Sequence, residues 1–120
     1  MRIVLDLDGV ICPVKDPDAS YADLEPIPGA VERLSELRAA GHYLIVVTAR
    51  HMATCEANVG QVVKRVGRLT LDWMDRHGVP YDEFHFGKPN AEVYVDDRAL
   101  RFTGWPELTD EALRKAASPR

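Results

Sequence analysis

Asp6-Leu7-Asp8 sets two carboxylates at alternate positions, directly before Gly9. Like charges this close repel each other, and a divalent cation between them relieves the repulsion. Magnesium suits such a pair because it takes hard oxygen ligands and keeps several waters. Asp96-Asp97 is a second acidic pair that can complete the site. Lys88, between Gly87 and Pro89 in a turn, can balance the carboxylates and keep Asp6 ionised. The hydroxyl of Thr48 can bind a phosphoryl oxygen, and the planar fork of Arg50 suits phosphate.

Each feature also has a plainer explanation. An acidic DxD turn is common, a turn lysine is usually solvated, Thr48 could cap a helix, and Arg50 could be a surface residue. Together they suggest phosphoryl transfer through an aspartyl-phosphate, since aspartate is a covalent nucleophile for this chemistry. Metal and Lys88 would offset charge on the transferring group. Asp8 could protonate the leaving oxygen and then activate water.

The positioning elements follow from the apolar pattern. Residues 3–7 and 43–47 are continuous apolar runs and read as buried strands. Residues 84–86 and 93–95 read as a third and fourth strand, and 99–102 lead towards a fifth. Residues 12–28 hold four prolines and no periodicity, a loop or flap. Pro28-Gly29 opens a helix with Ala30, Val31, Leu34 and Leu37 on one face, closed by Gly41. A long helix is predicted over 53–77, with Val59, Val62, Val66, Leu69 and Trp73 as its packing stripe, and a last helix over 107–117.

Strands apolar on both faces, alternating with helices, imply an α/β fold: a Rossmann-like three-layer sandwich around a mainly parallel sheet of about five strands. In such folds ligands bind beyond the carboxyl ends of the strands, where Asp6, Asp8, Thr48, Arg50, Lys88, Asp96 and Asp97 all fall. Gly9 and Ala49, in the turns after the first two strands, are the backbone candidates for substrate binding beside Arg50. The 120 residues fit one domain, residues 1–120. A net charge of -4 disfavours nucleic acid as a partner but not a small phosphorylated substrate. Two cysteines without metal spacing read as free thiols. No stretch has the roughly 20 apolar residues that span a bilayer, so the expectation is a cytoplasmic protein without a membrane partner.

These residues match a known pattern. LDLDGVIC resembles the first motif of haloacid-dehalogenase-like phosphatases, VVTAR the second, FGKP the third and YVDD the fourth, in the family order. The resemblance implies Asp6 as nucleophile and metal ligand, Asp8 as general acid/base with its carbonyl on the metal, and Thr48 and Lys88 on the phosphoryl group. It implies Asp97, with Asp96 beside it, as the remaining metal ligand, and Mg2+ as cofactor. PGAVERL, TAR and GKP…YVDDRA resemble short members linked to capsular and surface-polysaccharide biosynthesis, which implies a sugar phosphate as substrate. VDDR also resembles phosphatase domains of the polynucleotide-kinase kind, so a nucleic-acid end phosphatase is the alternative.

The loop 12–28 is too short for the cap domain that many members carry, which implies a capless site. Either a large substrate or a second subunit would then cover it, so a homo-oligomer is a possible partner. The non-enzymatic alternatives are a phospho-acceptor domain of the receiver kind and a silent binding module. Asp8 argues against the first, because it gives an aspartyl-phosphate a route to hydrolysis. The intact residue set argues against the second.

Overall fold

The computed structural model describes residues 1–117. These divide into two compact units, Met1–Asn90 and the residues from Ala91 onward, described separately below.

In the first unit, β1 (Arg2–Asp6), β2 (Tyr43–Thr48) and β3 (Glu83–Phe86) form a parallel sheet in the order β1-β2-β3. The register places Asp6 opposite Val47 and Thr48 opposite Phe86, so the strands end level with one another. Backbone pairing runs one step further, from Leu7 N to Val47 O and from Lys88 N to Thr48 O. The turns carrying Asp8, Arg50 and Lys88 therefore leave the sheet side by side. Leu5, Leu7, Leu44, Ile45 and Val46 are buried, but Val4 is 62% exposed, so β1, at the edge of the sheet, is covered less fully than its continuous apolar run predicts.

The α/β class and the parallel sheet are as expected, but among the described residues the sheet has three strands rather than five. Residues 93–95 and 99–102 form no strand. A run as short as Val93-Tyr94-Val95 makes few ladder bonds, and all three side chains are exposed, Val95 at 96%.

The helix α1 (Ala30–Ala39) follows Gly29, whose φ of 91° is one that glycine adopts without strain. It buries Ala30, Leu34 and Leu37. The long helix predicted over 53–77 begins later. Residues 51–57 are turns in which His51, Glu56 and Ala57 have positive φ, and Asn58 then caps α2 (Val59–Val62) by accepting from Gln61 N at 3.1 Å. A π turn, Val63–Gly67, joins α2 to α3 (Arg68–Arg76). The predicted stripe is met at Val62, Val66 and Trp73, whereas Val59 and Leu69 are exposed and Thr70 faces inward instead. A wider turn delays the inward position by a residue, and π turns of this kind often occur at functional sites.

The loop 12–28 contains a 3₁₀ turn, Tyr21–Asp23, and is pinned to α3. Trp73 Nε1 donates to Leu24 O at 2.7 Å, and an Arg76 guanidinium nitrogen donates to Ala22 O. Cys12 and Cys55 are free thiols.

The second unit is built around α4 (Asp110–Ala116), where Trp105, Leu108 and Leu113 are buried. Thr109 caps it by accepting from Ala112 N at 3.1 Å, so it starts after the residue 107 predicted. Acidic residues in its first turn and basic ones in its last complement the helix dipole. No helix among the described residues is long and apolar enough to cross a membrane.

Candidate active site

β1 delivers Asp6 at its last position and Asp8 two residues on, in a turn made possible by Gly9 at φ 91°. The Gly9 N–H donates to Cys12 O at 2.7 Å, closing that turn on itself. Lys88 reaches Asp6 from the far side of the sheet: Nζ donates to Oδ2 at 2.8 Å, with both side chains partly exposed. The lysine is aimed by Gly87. At φ 99° a side chain there would be strained, and a Cβ would meet Val59 Cγ2 at 2.9 Å.

Asp8 is held quite differently. Thr48 Oγ1 donates to its Oδ2 at 2.9 Å, and Arg50 Nε donates to Oδ1 at 3.0 Å and to Oδ2 at 3.3 Å. Thr48 also accepts from Arg50 N at 3.1 Å, so one hydroxyl orders both partners. Arg50 Nη1 donates to Thr70 Oγ1 at 3.1 Å, and Nη2 lies 3.5 Å from Cys12 Sγ. The Tyr21 ring covers the guanidinium, with Cζ 3.9 Å from its centroid. Among the described residues Thr48, Arg50 and Thr70 are the buried polar side chains, and all three belong to this cluster.

Burial pushes the Cys12 thiol up to about 11, with the charge of Asp8 acting in the same direction. Cys12 is therefore a thiol at neutral pH, 3.7 Å from Asp8 Oδ1. Tyr21 is raised as well, mainly by burial and then by Asp8.

An open cavity of about 240 Å³ adjoins Asp8, lined among others by Lys15, Tyr21, Ala49, Arg50, His51 and Asn90. A wider open groove of about 460 Å³ lies between Ala22 and α3, beside Arg65, Arg68 and Arg76, and holds none of the candidate residues.

The structure thus gathers Asp6, Asp8, Gly9, Thr48, Ala49, Arg50 and Lys88 at one end of the sheet. Asp96 and Asp97 lie in the second unit, exposed, and Asp96 Oδ1 accepts from Arg98 N at 2.7 Å. Among the described residues no three His, Cys, Asp or Glu side chains group as metal ligands. Asp6 and Asp8 are oxygen donors of the type magnesium takes, which fits the expected cofactor. Tyr21, Thr70 and Cys12 were not singled out by sequence. Their signals were slight: one aromatic in a polar loop, one hydroxyl on an apolar helix stripe, and a cysteine just past the DxDG turn.

The parallel sheet, with two acids at the carboxyl end of β1, a hydroxyl and an arginine after β2 and a lysine after β3, is that of a haloacid-dehalogenase-like fold. A D,D-heptose 1,7-bisphosphate phosphatase from B. bronchiseptica, solved with magnesium and phosphate, shares that fold. It has a TM-score of 0.51 and 17% identity over 77% of this chain and 53% of that one. A crystallised target protein from Vibrio cholerae is closer in structure, with a TM-score of 0.85 and 32% identity over 96% of this chain and 94% of that one.

Residues 14–106 match the family described as 5' nucleotidase, deoxy (pyrimidine), cytosolic type C, and the chain belongs to that family. The matched stretch contains Thr48, Arg50, Lys88 and the Asp96-Asp97 pair, and begins after Asp6 and Asp8. A Chlorobaculum tepidum protein, provisionally named a 5'(3')-deoxyribonucleotidase, is 27% identical over 81 residues. That stretch covers 64% of this chain but 37% of the C. tepidum protein, so the chain spans well under half of that relative's length. These matches leave the link to polysaccharide biosynthesis that the sequence suggested unsupported.

Proposed function

We propose that this chain is a magnesium-dependent phosphomonoester hydrolase that works through an aspartyl-phosphate on Asp6. The observation that carries the proposal is the pairing of two unlike carboxylates at one strand end. One accepts from Lys88, and the other is held by Thr48 and Arg50.

Lys88 engages Asp6 Oδ2, which makes Oδ1 the candidate attacking atom. Attack on phosphorus forms the Asp6–phosphoryl bond and breaks the ester bond, while Asp8, protonated at this stage, gives its proton to the departing oxygen and becomes the carboxylate that Arg50 pairs. Asp8 then takes a proton from water, whose oxygen attacks the phosphorus and frees Asp6. Lys88 offsets negative charge on the transferring group throughout. Asp6 and the Asp8 main-chain carbonyl are the proposed magnesium ligands of the first unit. When bound, the ion would supply further charge neutralisation.

The family points to a nucleoside monophosphate as the first substrate class, ahead of the sugar phosphate that the polysaccharide resemblance implied. The cavity beside Asp8 is small and open, which suits a phosphoryl group and part of its carrier rather than a whole enclosed nucleotide.

The test is phosphate release from a panel of 5'- and 3'-deoxyribonucleotides, ribonucleotides and sugar phosphates, with Mg2+ and again after complete chelation. Turnover that needs the metal and is fastest on a nucleotide is expected. Turnover undiminished by chelation would remove magnesium from the scheme, and a clear preference for sugar phosphates would replace the substrate class.

A further inference from the structure

We propose that Arg50 is a positioning residue for Asp8 and not a ligand of the substrate phosphate. The inference rests on the function proposed above and reassigns a residue that its type alone would place on the substrate.

A phosphate-binding arginine must present the edge of its fork to the ligand, because its strength lies in paired parallel N–H donors. Arg50 borders the cavity beside Asp8, but each nitrogen of its fork is already engaged elsewhere. It is 3% exposed, its Nε is on Asp8, Nη1 on Thr70 and Nη2 against Cys12, and one face lies under Tyr21. Turning it towards a substrate would break these contacts together. It would also leave the buried Arg50 charge and the half-buried Asp8 carboxylate without each other, and unpairing a charge held inside the protein is costly.

The geometry instead serves Asp8. Thr48 donates to one Asp8 oxygen and Arg50 to both, so any rotation of the carboxylate or swing towards Asp6 would break these bonds. Arg50 is fixed in turn by the loop 12–28, through Tyr21, and by α3, through Thr70. The inward turn of Thr70 rather than Leu69, after the π turn, has its use here. A carboxylate that must meet a water in line with phosphorus gains from such fixing, since a displacement of about 1 Å can cost on the order of 10²-fold in rate.

Arg50→Gln, Arg50→Lys and Thr70→Val, measured beside wild type, separate the two roles. The substrate is an aryl phosphate, whose leaving group needs little protonation, so the demand on Asp8 falls on hydrolysis of the intermediate. For Arg50→Gln, kcat should drop on the order of 10²-fold, with phosphoryl-Asp6 accumulating in acid-quenched protein. Inhibition by inorganic phosphate should stay within about threefold, under the 1 kcal/mol scale of a lost neutral hydrogen bond.

Arg50→Lys, which keeps the charge but loses the fork, should recover part of the rate. Thr70→Val should show a smaller loss with the same adduct, and it carries the test if Arg50→Gln does not fold. A KM and a phosphate inhibition constant that both rise with no adduct would make Arg50 a phosphate ligand and overturn the inference. So would a loss of kcat with neither adduct nor change in phosphate binding, the mark of general loosening. Wild type inactive on every phosphate ester overturns the proposed function itself, a result distinct from both.

Discussion

The two carboxylates of the site are two residues apart in sequence and live in unlike surroundings. Asp6 is partly open and paired with Lys88, a flexible cation that reaches across from the end of β3. Asp8 lies against a buried cluster in which every polar neighbour is itself tied down: Thr48 by the Arg50 amide, and Arg50 by Thr70 and Tyr21. An attacking group needs access and a balancing charge. A proton carrier that serves two half-reactions needs a fixed position. The same residue type can therefore fill two roles, set by environment alone.

The contrast is sharpest in Asp6→Asn. An amide is a poor nucleophile, so turnover should fall by at least the ~10²–10⁴ that a single catalytic group contributes. The circular dichroism spectrum should stay that of wild type, because Asp6 is not part of the buried cluster. Near-normal turnover would give the two acids the wrong roles.

The Lys88 side of the comparison depends on the backbone. Gly87→Ala forces a strained φ and drives a Cβ into Val59, so a destabilisation of about 1–3 kcal/mol is expected by denaturant titration. Adding Val59→Ala should return only part of it, since relieving the clash leaves the φ strain. Full rescue by Val59→Ala would mean that the conformation itself costs nothing.

The Asp8 side should reveal itself through Cys12. Its thiol keeps a proton up to about pH 11 in the folded chain, whereas an unperturbed thiol releases it near 9.0. A raised folded value gives stability that is whole below pH 9 and is lost as pH rises through 11. In Cys12→Ala, unfolding free energy should therefore decline less steeply over pH 9–11 than in wild type. Equal slopes would show that the cluster does not perturb the thiol.

Much of this site was legible in sequence because its residues sit at strand ends. Apolar runs fixed where β1, β2 and β3 stop, and a parallel register then brings Asp6, Asp8, Thr48, Arg50 and Lys88 together. What sequence could not give was the partner of each. Thr48 and Arg50 read as phosphate-binding types, yet their hydrogen bonds go to Asp8, a choice made by side-chain geometry across forty residues of chain. Thr70 was hidden for another reason. A helical stripe counted at a regular 3.6-residue period points Leu69 inward, and one π turn moves the inward place to Thr70. The run at 93–95 looked like a strand by composition, but three residues carry too little pairing for composition to decide.

The central claim, a covalent phosphoryl-enzyme on Asp6 that Asp8 resolves, is tested most directly in Asp8→Asn. Incubated with an aryl phosphate and Mg2+, then quenched in acid and digested, the variant should show one added phosphoryl group on the peptide that carries Asp6. Release of the aryl alcohol should stop after about one equivalent, since the activated water of the second step is missing. An unmodified Asp6 peptide with steady turnover at the wild-type rate would contradict the account.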